Sequence, residues 1–84
     1  MNNNVMIGGI GAARRIREKY YVSFDGSDTG GPVGTAREVI QWVRNNNGTN
    51  VSYFPDYVGG MVQVIGEKSG KVVYEAKIRK NRYR

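Results

Sequence analysis

Met61-Val62-Gln63-Val64-Ile65-Gly66-Glu67-Lys68-Ser69-Gly70-Lys71-Val72-Val73-Tyr74-Glu75-Ala76-Lys77-Ile78-Arg79-Lys80-Asn81-Arg82-Tyr83-Arg84 carries both the plainest structural pattern in this sequence and its densest positive charge. Val62, Val64, Val72, Tyr74, Ala76 and Ile78 alternate with Gln63, Lys71, Glu75, Lys77 and Arg79. A period of two puts one set on a dry face and the other on a wet face. Between the two runs, Glu67-Lys68-Ser69-Gly70 is a short polar turn whose glycine can take the positive φ of a hairpin bulge. The stretch reads as a β-hairpin whose second strand runs on into cations.

Upstream, Tyr20-Tyr21-Val22-Ser23-Phe24 is aromatic and β-branched and reads as a strand with Tyr20, Val22 and Phe24 on one face, ended by Asp25-Gly26. A glycine-rich loop over residues 26–34 leads into Thr35-Ala36-Arg37-Glu38, a capping box that marks a helix start. Ala36, Val39, Ile40 and Val43 then recur at helical spacing as the buried stripe, with Trp42 at its edge, and Asn45-Asn46-Asn47-Gly48 stops the helix. Val51-Ser52-Tyr53-Phe54 reads as a further strand ended by Pro55-Asp56, which would point Tyr53 and Phe54 to opposite faces. The expected fold is α+β in the order β-α-β-β-β, an antiparallel sheet packed by one main helix. Residues 10–19 form a short N-terminal helix or an extended arm, residues 1–9 fray, and residues 80–84 are a basic tail. With 84 residues, the chain is read as one small domain with one modest core.

Composition narrows the chemistry. The sequence has no cysteine and no histidine, which removes disulfides, thiolate metal sites, the commonest zinc ligand and the commonest general base. Serines at Ser23, Ser27, Ser52 and Ser69 stand in no G-x-S-x-G turn, so no catalytic residue is assigned and the protein is read as not an enzyme. Gly9-Ile10-Gly11-Ala12-Ala13 has two glycines of a dinucleotide turn, but Arg14 stands at the third glycine position, and no cofactor is inferred. Asp25, Ser27, Thr29 and Gly30 match the start of a calcium loop, yet Ala36 falls where a bidentate glutamate is needed, and no metal is inferred. The loop before the helix lacks a phosphate-loop lysine, and an anion contact there would rest on Thr35 and Arg37, opposed by Asp28 and Glu38. Asn47-Gly48-Thr49 and Asn50-Val51-Ser52 fit glycosylation acceptors. No secretion signal is read before them, and the protein is read as intracellular and cytoplasmic, with no membrane span.

Thirteen Lys and Arg against seven Asp and Glu give a net charge of +6, which favours an anionic partner. The cations fall into two groups: Arg14, Arg15, Arg17 and Lys19, and Lys77, Arg79, Lys80, Arg82 and Arg84. If the first and last strands are neighbours, the two groups merge into one surface. Tyr21, Tyr53, Phe54 and Tyr83 are the candidate stacking or interface aromatics. These features point to a small basic accessory protein that binds nucleic acid, RNA or DNA, through its phosphates. Six to eight contacts would give a log affinity against log salt slope of roughly −4 to −7. The alternative is a protein-binding module or inhibitor, of the kind viral or mobile-element proteins supply, using the sheet face or an edge strand. An edge strand also offers itself to a second copy, forming a homo-oligomer, although charge at Lys71, Lys77 and Arg79 is itself a device against such pairing.

Overall fold

The structure is a computed structural model that describes residues 17–81. Most of the N-terminal expectations, and the tail beyond Asn81, lie outside that range. The described residues form four strands and one main helix: β1 (Tyr20–Phe24), β2 (Asp28–Thr29), α1 (Ala36–Asn46), β3 (Met61–Gly66) and β4 (Val72–Lys77), with a 3-10 turn at Phe54–Tyr57 before β3. The sheet order is β2-β1-β3-β4, antiparallel throughout. The α+β class, with one antiparallel sheet and one main helix, is as the sequence indicates.

Helix α1 starts where the capping box places it. The Glu38 backbone N–H donates to Thr35 Oγ1 at 3.1 Å and the Thr35 N–H donates to Glu38 Oε1 at 3.2 Å. Val39 and Val43, one turn apart, are fully buried against β1 and β3, where they meet Val22, Phe24, Val62 and Val64. Phe54 and Ile78 complete the buried core, and Trp42 and Ile40 pack on it half-buried. Among the described residues eight side chains form the core, which suits a helix that covers only the two central strands.

The hairpin forms as read, with Gly70 at φ +71. One irregularity sits between Val64 and Ile65, opposite which β4 carries an extra residue at Val72-Val73. Tyr74 and Ala76 lie on the helix side opposite Val64 and Val62, while Glu75 lies opposite Gln63 on the open side and accepts its side-chain amide at 3.1 Å.

Two local expectations are corrected. Residues 51–54 are not a strand: Ser52 has φ +52, and Pro55, with no N–H to give a ladder, opens the 3-10 turn that inserts Phe54 alone into the core. The fourth strand instead is Asp28–Thr29, inside the loop read as a connector. Asp25 and Gly26 both hold positive φ, 53° and 71°, the requirement of a tight hairpin turn, and they fold β2 back on β1. Tyr57 donates its phenol proton to Asp28 Oδ2, a bond that raises the phenol pKa above its usual value.

Candidate functional site

The register of the sheet places the two cationic groups apart. Tyr20 pairs with Gly66 and Met61 pairs with Lys77, so Arg17 and Lys19 stand at the turn end of β3, whereas Lys77, Arg79 and Lys80 stand at the other end. Five residue steps of strand separate these ends, roughly 17 Å at about 3.3 Å per residue. The first and last strands are not neighbours, since β3 lies between them. The merged surface expected from the sequence does not form from these residues. Arg14, Arg15, Arg82, Tyr83 and Arg84 lie outside the described residues.

The turn end is electrostatically mixed. Glu18 accepts hydrogen bonds from the Ser69 N–H at 2.9 Å, the Ser69 hydroxyl at 2.8 Å and the Lys68 N–H at 2.8 Å. The Ser69 N–H first, with the Ser69 hydroxyl and the Lys68 N–H, lowers the Glu18 carboxyl below its usual range. The donors of this turn are thereby already turned to a carboxylate of the same chain, and Glu67 adds another negative charge beside Lys68 and Lys71.

The other end is different. Arg44, in the last turn of α1, meets Lys77 and Arg79 of the β4 segment around an open cleft of about 430 Å³, whose other lining residues are Asn47, Tyr74 and Ala76. Three cations line it, and no aspartate or glutamate does. Lys80 follows directly and lines a neighbouring depression with Pro55, Val58 and Asn81.

Asn47 builds this cleft. Ile78 turns its backbone toward the loop before β3, donating to Gly60 O at 2.8 Å and accepting from the Gly59 N–H at 2.9 Å. Alternation then aims the Lys77 carbonyl and the Arg79 N–H at the free edge. Both are taken by one side chain: Asn47 Nδ2 donates to Lys77 O at 2.9 Å, and the Arg79 N–H donates to Asn47 Oδ1 at 2.9 Å. Asn47 is 4% exposed, and it joins the end of the helix to the end of the strand as a third strand would. A helix C-terminus carries partial negative charge that opposes an anion. Here three of its carbonyls accept hydrogen bonds: Asn46 Nδ2 donates to Trp42 O, the Asn47 N–H to Val43 O, and the Thr49 hydroxyl to Asn46 O. Arg44 offsets what remains.

The other residues singled out from the sequence are dispersed. Phe54 is fully buried, its ring 4.9 Å from Phe24 and 5.7 Å from Trp42, and is no interface residue: an apolar side chain preceding Pro55 serves the core here. Tyr53 is exposed beside it, packed on Phe24 and Tyr57. Tyr21 lies half-buried on the open sheet face opposite Ile65. At the helix start, where the sequence offers Thr35 and Arg37 as an anion contact, the Glu38 carboxylate accepts the Thr35 N–H. Arg44, Asn47 and Tyr74 are members of the cleft that the sequence reading gave no binding role. A cation in a last helical turn and a polar run at a helix end were visible, but each has an ordinary capping explanation.

The edge of β4 is shortened at both ends, by the irregularity at Val72-Val73 and by the Asn47 amide. Among the described residues, no helix is long and apolar enough to cross a membrane. Compared with protein-family models, with curated proteins and with solved structures, the chain finds no match, and the reading of this site rests on its geometry.

Proposed function

We propose that this chain is a non-enzymatic nucleic-acid-binding protein that holds phosphates in the cleft between α1 and β4. Arg44 and Arg79 offer planar, bidentate donors to phosphate oxygens, and Lys77 and Lys80 add point charges. The observation that carries this reading is that Arg44 and Arg79 line one cleft, with Lys77 also in its lining and no carboxylate there, and that Asn47 fixes its walls. A solvated edge strand would explain Lys77 and Arg79 but not the helix arginine, Arg44, that lines the same cleft.

The test is the salt dependence of binding to a fluorescein-labelled oligonucleotide. Four phosphate contacts, from Arg44, Lys77, Arg79 and Lys80, give a log affinity against log salt slope of about −3 to −4. A flat dependence, or no binding at low salt, removes the reading. Capture from lysate with and without nuclease treatment separates it from a protein partner docked on the open sheet face, where Met61, Val72 and Val73 are exposed. Retention of the captured partner after nuclease treatment favours the protein.

A further inference from the structure

Tyr74 gives the cleft a component that phosphate binding does not need. It lies on the helix side of β4, opposite Val64, half-buried against the core, and it also lines the cleft with Arg44, Lys77 and Arg79. A phenol ring held by packing loses little freedom when a flat ligand lies on it, and aromatic rings stack on bases of any sequence. The cleft is also concave and bounded on two sides, by the end of α1 and by β4. Its volume is that of a small-molecule pocket. A duplex hides its base faces in the stack and is read by an element that projects into a groove. Nothing projects here: the ring and the cations line a recess. A single strand can turn one base out and leave its flanking phosphates at the rim.

Building on the proposed phosphate site, we infer that the ligand class is single-stranded nucleic acid, with one unstacked base lying on Tyr74 and the phosphates either side of it held by Arg44 and Arg79. Lys77 alternates with Ala76 onto the face that carries Glu75, so the two arginines, and not Lys77, hold these phosphates. Asn47 sets the spacing of the two arginines, because it ties the Arg79 backbone to the end of the helix that carries Arg44. Recognition at this site is tolerant of sequence, since stacking on a ring serves every base and the one amide in the lining, Asn47, is already engaged on both atoms.

The experiment titrates the full chain with three fluorescein-labelled probes of equal phosphate number: a short oligothymidylate, the same strand with abasic sites throughout, and a duplex. The oligothymidylate should bind about tenfold or more tightly than the abasic strand and the duplex, in line with the usual effect of one base on one ring. Tyr74→Leu, which keeps apolar bulk over the core, should remove that preference, while Tyr74→Phe should retain it. Thermal unfolding by circular dichroism checks that both variants fold, and the comparison of the three probes on the unsubstituted chain needs no variant at all. Equal affinity for the oligothymidylate and the abasic strand, or tighter binding of the duplex, overturns the inference. If all three probes bind alike and Arg44→Glu weakens each of them, the phosphate site stands and only the single-strand assignment falls. If none binds at low salt, both fall.

Discussion

Asn47 and Arg79 meet twice: the Arg79 N–H donates to Asn47 Oδ1 at 2.9 Å, and Arg79 Nη2 reaches the Asn47 carbonyl oxygen at 3.5 Å. The first contact is backbone to side chain and fixes where the strand passes the helix. The second, longer one inclines the guanidinium toward the helix end, where Arg44 stands. Replacing Asn47 by alanine strands two partly buried backbone groups, the Lys77 carbonyl and the Arg79 N–H. Leaving such groups unpaired costs about 1–3 kcal/mol each when water cannot replace the partner. Asn47→Ala should therefore lower stability by about 2–3 kcal/mol in urea unfolding and weaken oligonucleotide binding as well. An unchanged midpoint would mean that the clip contributes nothing. Asn47→Asp keeps the acceptor for Arg79 but turns an anion onto the Lys77 carbonyl, and should also destabilise.

Gly31 and Trp42 fix the loop to the helix. Gly31 has φ +112, and a Cβ there would lie 2.7 Å from the Trp42 ring. Both the backbone and the contact oppose a side chain, so Gly31→Ala should cost roughly 2–3 kcal/mol from strain and overpacking together. Trp42 is the single tryptophan of the chain, and its emission reports the change directly during denaturant unfolding.

Glu18 should make the start of β1 sensitive to acid. Its carboxyl is lowered by bonds from the Ser69 N–H, the Ser69 hydroxyl and the Lys68 N–H, so its folded pKa lies below the unfolded value of about 4.3. A depressed carboxyl contributes stability that is present above the unfolded pKa and lost as pH falls through the folded one. The protection of the Lys68 and Ser69 amides against exchange, relative to their intrinsic rates at each pH, should fall over that acid window in the unsubstituted chain. In Glu18→Gln the same amides should exchange faster at neutral pH and show no such acid step. Identical profiles in the two proteins would contradict the contact.

The hairpin, the capping box and the valine stripe were legible because each depends on residues close in sequence: alternation over Val62 to Ile78, Thr35 with Glu38, and Val39 with Val43. The strand expected at residues 51–54 failed because local β propensity was outweighed by Pro55 and by the core's demand for one large ring, which Phe54 supplies from a 3-10 turn. Strand β2 was signalled by Asp25-Gly26, a dipeptide that forms hairpins, yet two residues are too few to show alternation. The cleft was not legible at all. It needs Arg44 and Asn47 beside Lys77 and Arg79, about 30 residues away in sequence, and only the sheet register and the Asn47 clip bring them together.

The most direct test of the phosphate cleft compares Arg44→Glu with Lys19→Glu in oligonucleotide binding near 0.15 M salt, where charge is screened over about 8 Å. Both variants change the net charge equally, but Lys19 stands at the far end of the sheet, roughly 17 Å of strand away. Loss of a charge-assisted phosphate contact, with repulsion in its place, should cost Arg44→Glu at least about tenfold in affinity. Lys19→Glu should stay within about twofold, because screening covers that separation. Equal losses in the two variants, or a larger loss in Lys19→Glu, would show that binding follows overall charge and not the cleft.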